Sequence, residues 1–206
     1  MGKSAASAML RRLGVPLYDA DAQVHRLLGP GGDAVMRVET AFPGVRNQRG
    51  AIDRPALGRR VFGQPAELRR LERILHPMVR AAEIRFLAQA RSRGAVVAVI
   101  DIPLLFETPN PGRCDCIVVV SAPAWLQRQR VMRRAGMSDS RLRAILATQM
   151  PDREKRRRAD SVVPTGLSRA RTLRHLRRIV RILKTTDWRR AGRVRRRLMR
   201  PPRVAN

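Results

Sequence analysis

Short apolar runs alternate with amphipathic stretches along most of the chain. Runs at residues 15–18, 95–100, 116–120 and 160–164 have the length and composition of β-strands. The second and third are continuous and rich in β-branched residues, which is typical of strands buried on both faces of a parallel sheet. Amphipathic segments separate them. This alternation predicts a doubly wound α/β core.

The longest stretch without a strand pattern is residues 29–94. Glycine and proline at 29–32 mark a connection, and apolar residues at helical spacing then predict helices at 33–42, 54–62 and 65–93. Pro77 lies inside the last of these and is expected to bend or break it. The block is interpreted as a helical insertion between two strands of one sheet.

The last third of the chain is helical and strongly basic. Pro123 is expected at the first position of one helix and Ser138 as the cap of the next. Residues 153–158 could form a short helix, and residues 167–183 predict a helix that packs against the sheet. From Asp187 onward the apolar periodicity fails and arginine dominates, so we expect residues 187–206 to be disordered or to form a loosely attached helix.

The charge of the chain restricts its partners. Its 206 residues include 44 Lys+Arg and 16 Asp+Glu, which gives a formal net charge of +28. Such an excess points to nucleic acid, an acidic membrane surface or polyphosphate ligands. Half of the net charge lies in residues 167–206. A basic nucleic-acid-associated protein therefore remains an alternative, although an aromatic content of 3% leaves few side chains on which bases could stack.

The two cysteines and the absence of long apolar runs indicate the compartment. Cys114 and Cys116 are too close for an ordinary structural disulfide and too few for a metal site. No apolar run approaches the length of about 18 residues that spans a bilayer, and the N-terminus lacks the apolar core of a signal peptide. We therefore expect a cytoplasmic protein.

Gly2-Lys3-Ser4 leads directly into a helical pattern at the start of the chain. These residues match the closing half of the phosphate-binding loop Gly-x-x-x-x-Gly-Lys-[Ser/Thr], in which backbone N–H groups at a helix N-terminus hold phosphate. The opening half is missing, because only Met1 precedes Gly2. Taken alone, the tripeptide is also compatible with an ordinary flexible start.

Three aspartates follow predicted strands. Gly14 is suited to a left-handed helix end, and the strand at 15–18 then delivers Asp19 and Asp21 to its carboxyl end, where ligands bind in α/β sheets. Asp19 could equally cap the helix that follows. Asp101 ends the strand at 95–100, where it could position a ligand or cap the next turn.

Several groups of residues resemble, in their order, the motifs of dephospho-coenzyme A kinases, and the resemblance covers roughly residues 2–183. They are Gly2-Lys3-Ser4, Leu13-Gly14, Asp19-Ala20-Asp21, Leu75-His76-Pro77-Met78-Val79-Arg80, Asp101-Ile102-Pro103-Leu104-Leu105-Phe106-Glu107, Gln149 and Ala159-Asp160. The resemblance implies transfer of the γ-phosphate of ATP to the ribose 3′-hydroxyl of dephospho-coenzyme A, the last step of coenzyme A biosynthesis.

The resemblance also implies a fold. It predicts an α/β, three-layer core like that of nucleoside-monophosphate kinases, with a parallel sheet, a helical substrate-binding insertion and a lid. The predicted parts are a core of 1–28, 95–133 and 158–186, a dephospho-coenzyme A-binding region of 29–94, a lid of 134–157, and a tail of 187–206 without counterpart in the family.

Members of this family begin with a strand and a complete phosphate loop. We therefore expect that a first strand and half of the loop are missing before Met1. The chain as given should then bind ATP poorly, and a kinase-like remnant without activity is a further alternative.

The resemblance implies ATP-binding and metal-binding roles. The residues expected to bind ATP are Gly2, Lys3, Ser4, Ala5, Arg134 and Lys155. Lys3 would reach the β- and γ-phosphates, Ser4 would bind Mg²⁺ through its hydroxyl, and Asp101 would be a second Mg²⁺ ligand. Arg134 and Lys155 would close over the phosphates as cations of the lid.

On the acceptor side, Asp21 is expected to act as the base that accepts the proton of the attacking hydroxyl, completing a catalytic set with Lys3 and Arg134. The residues expected to bind substrate are Asp19, Asp21, His76, Arg80, Asp101 and Leu104. His76 could equally be an ordinary histidine in a helix.

Overall fold

The computed structural model describes residues 2–107, 114–133 and 136–185. The chain divides into two compact units. One contains the described residues of Met1–Pro16 and Leu104–Asn206, and the other is Leu17–Pro103. Arg134 and residues 187–206 lie outside the described ranges.

The described elements alternate strands with helices. The helices are α1 (Lys3–Arg12), α2 (Ala20–Leu28), α3 (Val35–Ala41), α4 (Arg54–Val61), α5 (Pro65–Ser92), α6 (Ala124–Met132), α7 (Asp139–Thr148), α8 (Asp152–Arg158) and α9 (Arg169–Thr185). The strands are β1 (Leu17–Asp19), β2 (Val99–Asp101), β3 (Val118–Ser121) and β4 (Ser161–Pro164), and Leu105–Glu107 forms a 3₁₀ helix. Within these ranges, no helix combines the length and the apolar character needed to cross a membrane.

In the unit Leu17–Pro103, β1 and β2 pair in parallel, with Asp19 opposite Asp101. Both strands are shorter than the apolar runs predict. β1 begins only at Leu17, because the amide of Val15 donates to the carbonyl of Leu10 at the end of α1 and Pro16 has no N–H. β2 can pair only along the three residues of β1, so residues 95–98 lie outside the strand and Val96 is 72% exposed.

The helices of this unit share one apolar core. Its buried members include Leu28, Val38, Phe42, Ile52 and Leu57. The predicted helices at 33–42, 54–62 and 65–93 are confirmed, with no end shifted by more than two residues. Of the predicted bend or break at Pro77, the break is wrong, since α5 continues through this residue.

Packing explains why α5 continues. Ile74 and Leu75 before the proline, and Met78 and Val79 after it, all contact the same core. If the helix stopped at Pro77, the residues after it would lose their apolar contacts with this core. Burial of those residues offsets the cost of a proline inside a helix, which is about 3 kcal/mol.

Tyr18 attaches β1 to α5. Its side chain is buried, its hydroxyl donates to the carbonyl of Val79 at 2.9 Å, and its ring lies 5.6 Å from that of Phe86. Tyr18→Phe removes the hydroxyl and should lower the free energy of unfolding by about 1 kcal/mol, measured by urea denaturation. Thr40→Val is the control, because it removes an exposed hydroxyl bond to Met36 and should change little. Equal effects of both variants would contradict a stabilising role for the Tyr18 bond.

In the other unit, β3 and β4 pair in parallel from Val118 opposite Ser161 to Ser121 opposite Pro164. β3 begins later than predicted, because the amide of Ile117 donates to the carboxylate of Asp160 at 2.8 Å. The predicted strand at 160–164 is confirmed as β4, within one residue.

Helices α1 and α9 cover this pair of strands. Ala6 of α1, Val163 of β4, and Leu176 and Ile179 of α9 form a buried cluster. The predicted helix at 167–183 is thereby confirmed, with both ends two residues later. Ser138 caps α7 as predicted, whereas Pro123 precedes α6 as its cap residue instead of occupying its first position.

Candidate active site

The start of α1 has the geometry of an anion-binding loop. Gly2 adopts φ +83°, and α1 begins at Lys3 with no side-chain cap and no acidic residue in its first turn. Lys3 and Ala5 are half-buried, and Ser4 is exposed. Because the first N–H groups of a helix have no partners within the helix, those of residues 3–5 can bind an anion.

Gly2 lies against the polar end of β4. A Cβ atom at this position would be 3.0 Å from Cβ and Oγ1 of Thr165, so a side chain there would crowd Thr165 as well as strain the backbone at φ +83°. Thr165 follows β4 directly, and its N–H and hydroxyl donate to the carbonyl of Ser121, the last residue of β3, at 2.8 and 3.1 Å. The phosphate-loop residues are therefore at the carboxyl ends of two parallel strands, where α/β sheets bind ligands.

Two further side chains approach these strand ends. Arg130 of α6 donates through Nη2 to the carbonyl of Thr165 at 2.9 Å, and Asp152 of α8 accepts from the hydroxyl of Ser121 at 2.8 Å. Nη1 of Arg130 and Oδ1 of Asp152 are buried and have no hydrogen-bond partner among the described residues. Buried polar atoms without partners are unusual, and a bound ligand or water is one common reason for them.

Lys155 of α8, predicted to contact phosphates, is paired with a carboxylate. Its Nζ lies 2.8 Å from Oε1 of Glu107, and the two side chains are 11% and 20% exposed. Partial burial raises the pKa of Glu107, but the hydrogen bonds from Lys155 and from the Met150 N–H, with the charge of Lys155, lower it below its ordinary value overall.

The aspartates predicted to act at the site lie at or just after the strand ends of the unit Leu17–Pro103. Asp19 and Asp101 end neighbouring parallel strands and face each other in register, and Asp101 is buried. Asp19 accepts the amide of Ala22 at 3.0 Å, so its interpretation as a helix cap is confirmed. Asp21 is exposed in the first turn of α2, two residues beyond the strand end.

The two predicted substrate residues of α5 have different environments. His76 lines a shallow groove of about 720 Å³ with Arg69, Glu72 and Arg73. Arg80 instead forms an ion pair with Glu83, whose side chain is 2% exposed. Arg80 therefore contributes to neutralising a buried carboxylate, whatever further role it has.

The remaining predicted residues are Leu104, which is 42% exposed, and Arg134, which lies outside the described residues. Sequence reasoning assigned no role to four residues that contact the ends of β3 and β4 or the helix α8: Glu107, Ser121, Arg130 and Thr165. Ser121 and Thr165 could have been found, because they end or follow predicted strands. The described ranges contain no cluster of three or more His, Cys, Asp or Glu side chains suited to a metal.

Known proteins are similar to the chain in sequence and in fold. The family model "CoaE: Dephospho-CoA kinase" matches residues 1–168. A dephospho-CoA kinase of Paramagnetospirillum magneticum is 60% identical over 76% of the chain and 73% of that protein. One from Rhodospirillum rubrum is 51% identical over 94% of the chain and 92% of that protein.

Two solved structures have the same fold. The crystal structure of TT1252 from Thermus thermophilus is 35% identical with a TM-score of 0.76, covering 90% of this chain and 93% of that one. Dephospho-CoA kinase from Campylobacter jejuni, at 24% identity and a TM-score of 0.60 over 88% and 91%, supports the fold alone. The predicted α/β phosphate-loop kinase fold is confirmed, and the chain belongs to the dephospho-CoA kinase family.

Proposed function

We propose that the chain transfers the γ-phosphate of ATP to the ribose 3′-hydroxyl of dephospho-CoA and releases CoA and ADP. The observation that carries this proposal is the family match over residues 1–168, which begins at the Gly-Lys-Ser motif. The reaction is the last step of CoA biosynthesis. We assign it to the cytoplasm, where Cys114 and Cys116 would stay reduced.

Phosphoryl transfer depends mainly on positioning and on neutralising the charge of the phosphate oxygens. The backbone N–H groups of Gly2, Lys3, Ser4 and Ala5 bind the phosphates at the N-terminus of α1. The ammonium of Lys3 neutralises the β- and γ-phosphate oxygens. Lys155 and Arg134 add positive charge from the lid, for which we propose residues 134–157.

The residues present fit Mg²⁺ held mostly by the nucleotide. Mg²⁺ in kinases is commonly bound by one or two protein ligands with substrate phosphates and water, and Ser4 has an exposed hydroxyl beside the uncapped helix end. When bound, the ion neutralises developing charge on the phosphate oxygens. Ser4 would hold it directly, and Asp101 is the second candidate ligand.

Asp21 acts on the acceptor. The 3′-oxygen of dephospho-CoA forms a bond to the γ-phosphorus, the bond to the β,γ-bridging oxygen breaks, and the hydroxyl proton passes to the Asp21 carboxylate. A carboxylate can accept this proton when it lies within hydrogen-bonding distance of the reacting hydroxyl.

Five further residues contact dephospho-CoA in this proposal: Asp19, His76, Arg80, Asp101 and Leu104. The groove beside His76 suits an anionic substrate, because two arginines, Arg69 and Arg73, line it against one carboxylate, Glu72. We propose that residues 29–94 form the region that binds dephospho-CoA, and that residues 1–28, 95–133 and 158–186 form the core.

The proposal is tested by incubating the full chain with ATP, Mg²⁺ and dephospho-CoA and identifying the products by mass spectrometry. We expect one phosphate to be added to dephospho-CoA, with ADP formed in equal amount. A 3′-deoxy analogue of dephospho-CoA is the matched control and should remain unmodified. Phosphorylation of that analogue, or no phosphorylation of dephospho-CoA, would contradict the proposal.

One observation favours additional, non-specific affinity for nucleic acid. The exposed face of α9 carries Arg171, Arg174, Arg177, Arg181 and Lys184, and α9 contains no acidic residue. Binding through phosphate contacts alone falls steeply with salt. RNA binding that disappears between about 50 and 200 mM salt would support this additional affinity. Nucleic-acid binding would replace the kinase assignment only if the transfer assay failed.

A further inference from the structure

Glu107 joins two segments that are far apart in sequence but lie in the same unit. It ends the 3₁₀ helix Leu105–Glu107, and its Oε1 accepts from Nζ of Lys155 at 2.8 Å and from the amide of Met150 at 3.0 Å. Lys155 lies in α8, and Met150 lies just before it. The same carboxylate oxygen of Glu107 therefore accepts hydrogen bonds from Met150, just before α8, and from Lys155 within α8.

The pair is shielded enough for its charges to matter. The Lys155 side chain is 11% exposed, so without a counterion its ammonium would lose hydration and gain nothing in return. Glu107 is the carboxylate that it contacts, and the lowered pKa of Glu107 keeps this group ionised at neutral pH. The bond is thus charge-assisted on both sides, which makes it shorter and stronger than a neutral one.

The attachment of α8 does not depend on this pair alone. Asp152, the first residue of α8, also accepts the hydroxyl of Ser121 at the end of β3. That second contact fixes the helix, whereas the direction of the Lys155 side chain depends on Glu107. A lysine ammonium has three N–H donors, so one bond to Glu107 leaves two for other acceptors.

We propose that Glu107 is a positioning residue that acts on the nucleotide through Lys155. It orients the ammonium, so that the other two donors can bind phosphate oxygens of ATP without first ordering a flexible side chain. This inference rests on the proposed function in taking ATP as the phosphate donor and Lys155 as a contact of its phosphates. It assigns a role to Glu107, a motif residue to which sequence reasoning assigned none.

The test measures Mg-ATP affinity by calorimetry for the wild type, Glu107→Gln, Lys155→Met and the double variant. Glutamine keeps an acceptor oxygen for the Met150 amide and removes the negative charge. We expect Glu107→Gln to raise the Kd for ATP about tenfold, and Lys155→Met to raise it at least as much. Because Glu107 acts through Lys155, the double variant should bind no more weakly than Lys155→Met alone.

Three outcomes would overturn the inference. Additive losses would mean that Glu107 acts independently of Lys155. Tighter ATP binding by Glu107→Gln would mean that the carboxylate competes with phosphate for Lys155. No ATP binding by the wild-type chain would remove the ligand that the inference requires.

Controls separate this role from a loss of structure. Glu154→Gln removes a carboxylate of the same helix that pairs with Arg157 and Arg158 at the surface, so ATP affinity should not change. Urea denaturation identifies any variant that does not fold. If Glu107→Gln does not fold, Glu107→Asp, which keeps the charge on a shorter side chain, should still raise the Kd for ATP and show the same dependence on Lys155.

The binding experiment and the transfer assay fail independently. A chain that binds ATP with the expected dependence on Glu107 and Lys155, but does not phosphorylate dephospho-CoA, would contradict the proposed acceptor and leave the inference standing. A chain that phosphorylates dephospho-CoA, but shows additive losses in ATP affinity, would contradict the inference and leave the proposed function standing.

Discussion

Changing Lys3 to methionine is expected to lower kcat/KM for phosphoryl transfer by roughly 10²- to 10³-fold, the usual effect of removing one preorganised group that stabilises transition-state charge. Lys3 begins α1 directly after Gly2, so its ammonium and the helix N–H groups would act on the same phosphates. Methionine has a similar length and no charge. The loss should therefore be electrostatic, with little change in packing.

The chain has a matched control for this change. Lys184→Met makes the same substitution at an exposed position of α9 and should leave kcat/KM unchanged. Initial rates of ADP formation with dephospho-CoA as acceptor give both values. A Lys3→Met enzyme that kept more than a tenth of the wild-type kcat/KM would exclude Lys3 from binding the transferring phosphate.

Elements whose cause is local were predictable from the sequence. α9 is an example, because its one-sided apolar pattern, with Leu176, Ile179 and Val180 buried, depends only on residues three or four apart. The same holds for the cap of α7 by Ser138 and the left-handed Gly14 at φ +71°. These features follow from backbone geometry and from hydrogen bonds to near neighbours.

Features that depend on distant partners were not predictable in the same way. The run at 95–100 has six residues suited to a strand, but β1 offers only three for pairing. Pro77 weakens a helix locally, and only the core on both sides of it explains why α5 continues. In both cases tertiary packing outweighs local preference.

In the candidate site, too, some features were predictable from the sequence and others were not. Gly2, Lys3, Ser4 and the cap at Asp19 follow from short motifs, because each depends on the residues next to it. The bond from Arg130 to Thr165 and the pair of Lys155 with Glu107 join segments that are far apart in sequence. Many arginines of this chain are exposed, and charge alone could not identify Arg130 as the one bonded to a strand end.

Changing Asp21 to asparagine is expected to lower kcat by roughly 10²-fold or more and to leave ATP affinity nearly intact, because a general base acts on the acceptor hydroxyl. Asparagine keeps the size of the side chain and loses its basicity. Asp21 also lies in the first turn of α2, where a negative charge stabilises a helix by about 0.3–1 kcal/mol. A small loss of stability should therefore accompany the loss of turnover, and the two must be measured separately.

Turnover at saturating dephospho-CoA, ATP affinity by calorimetry and unfolding by urea distinguish the two contributions of Asp21. Asp115→Asn, at an exposed position before β3, makes the same chemical change and should alter none of the three. If Asp21 served only α2, Asp21→Asn would shift the urea midpoint and keep its turnover, and another group would then have to accept the proton. A fall in kcat without a change in ATP affinity requires that the carboxylate act on the acceptor hydroxyl, since helix stability alone cannot separate these quantities.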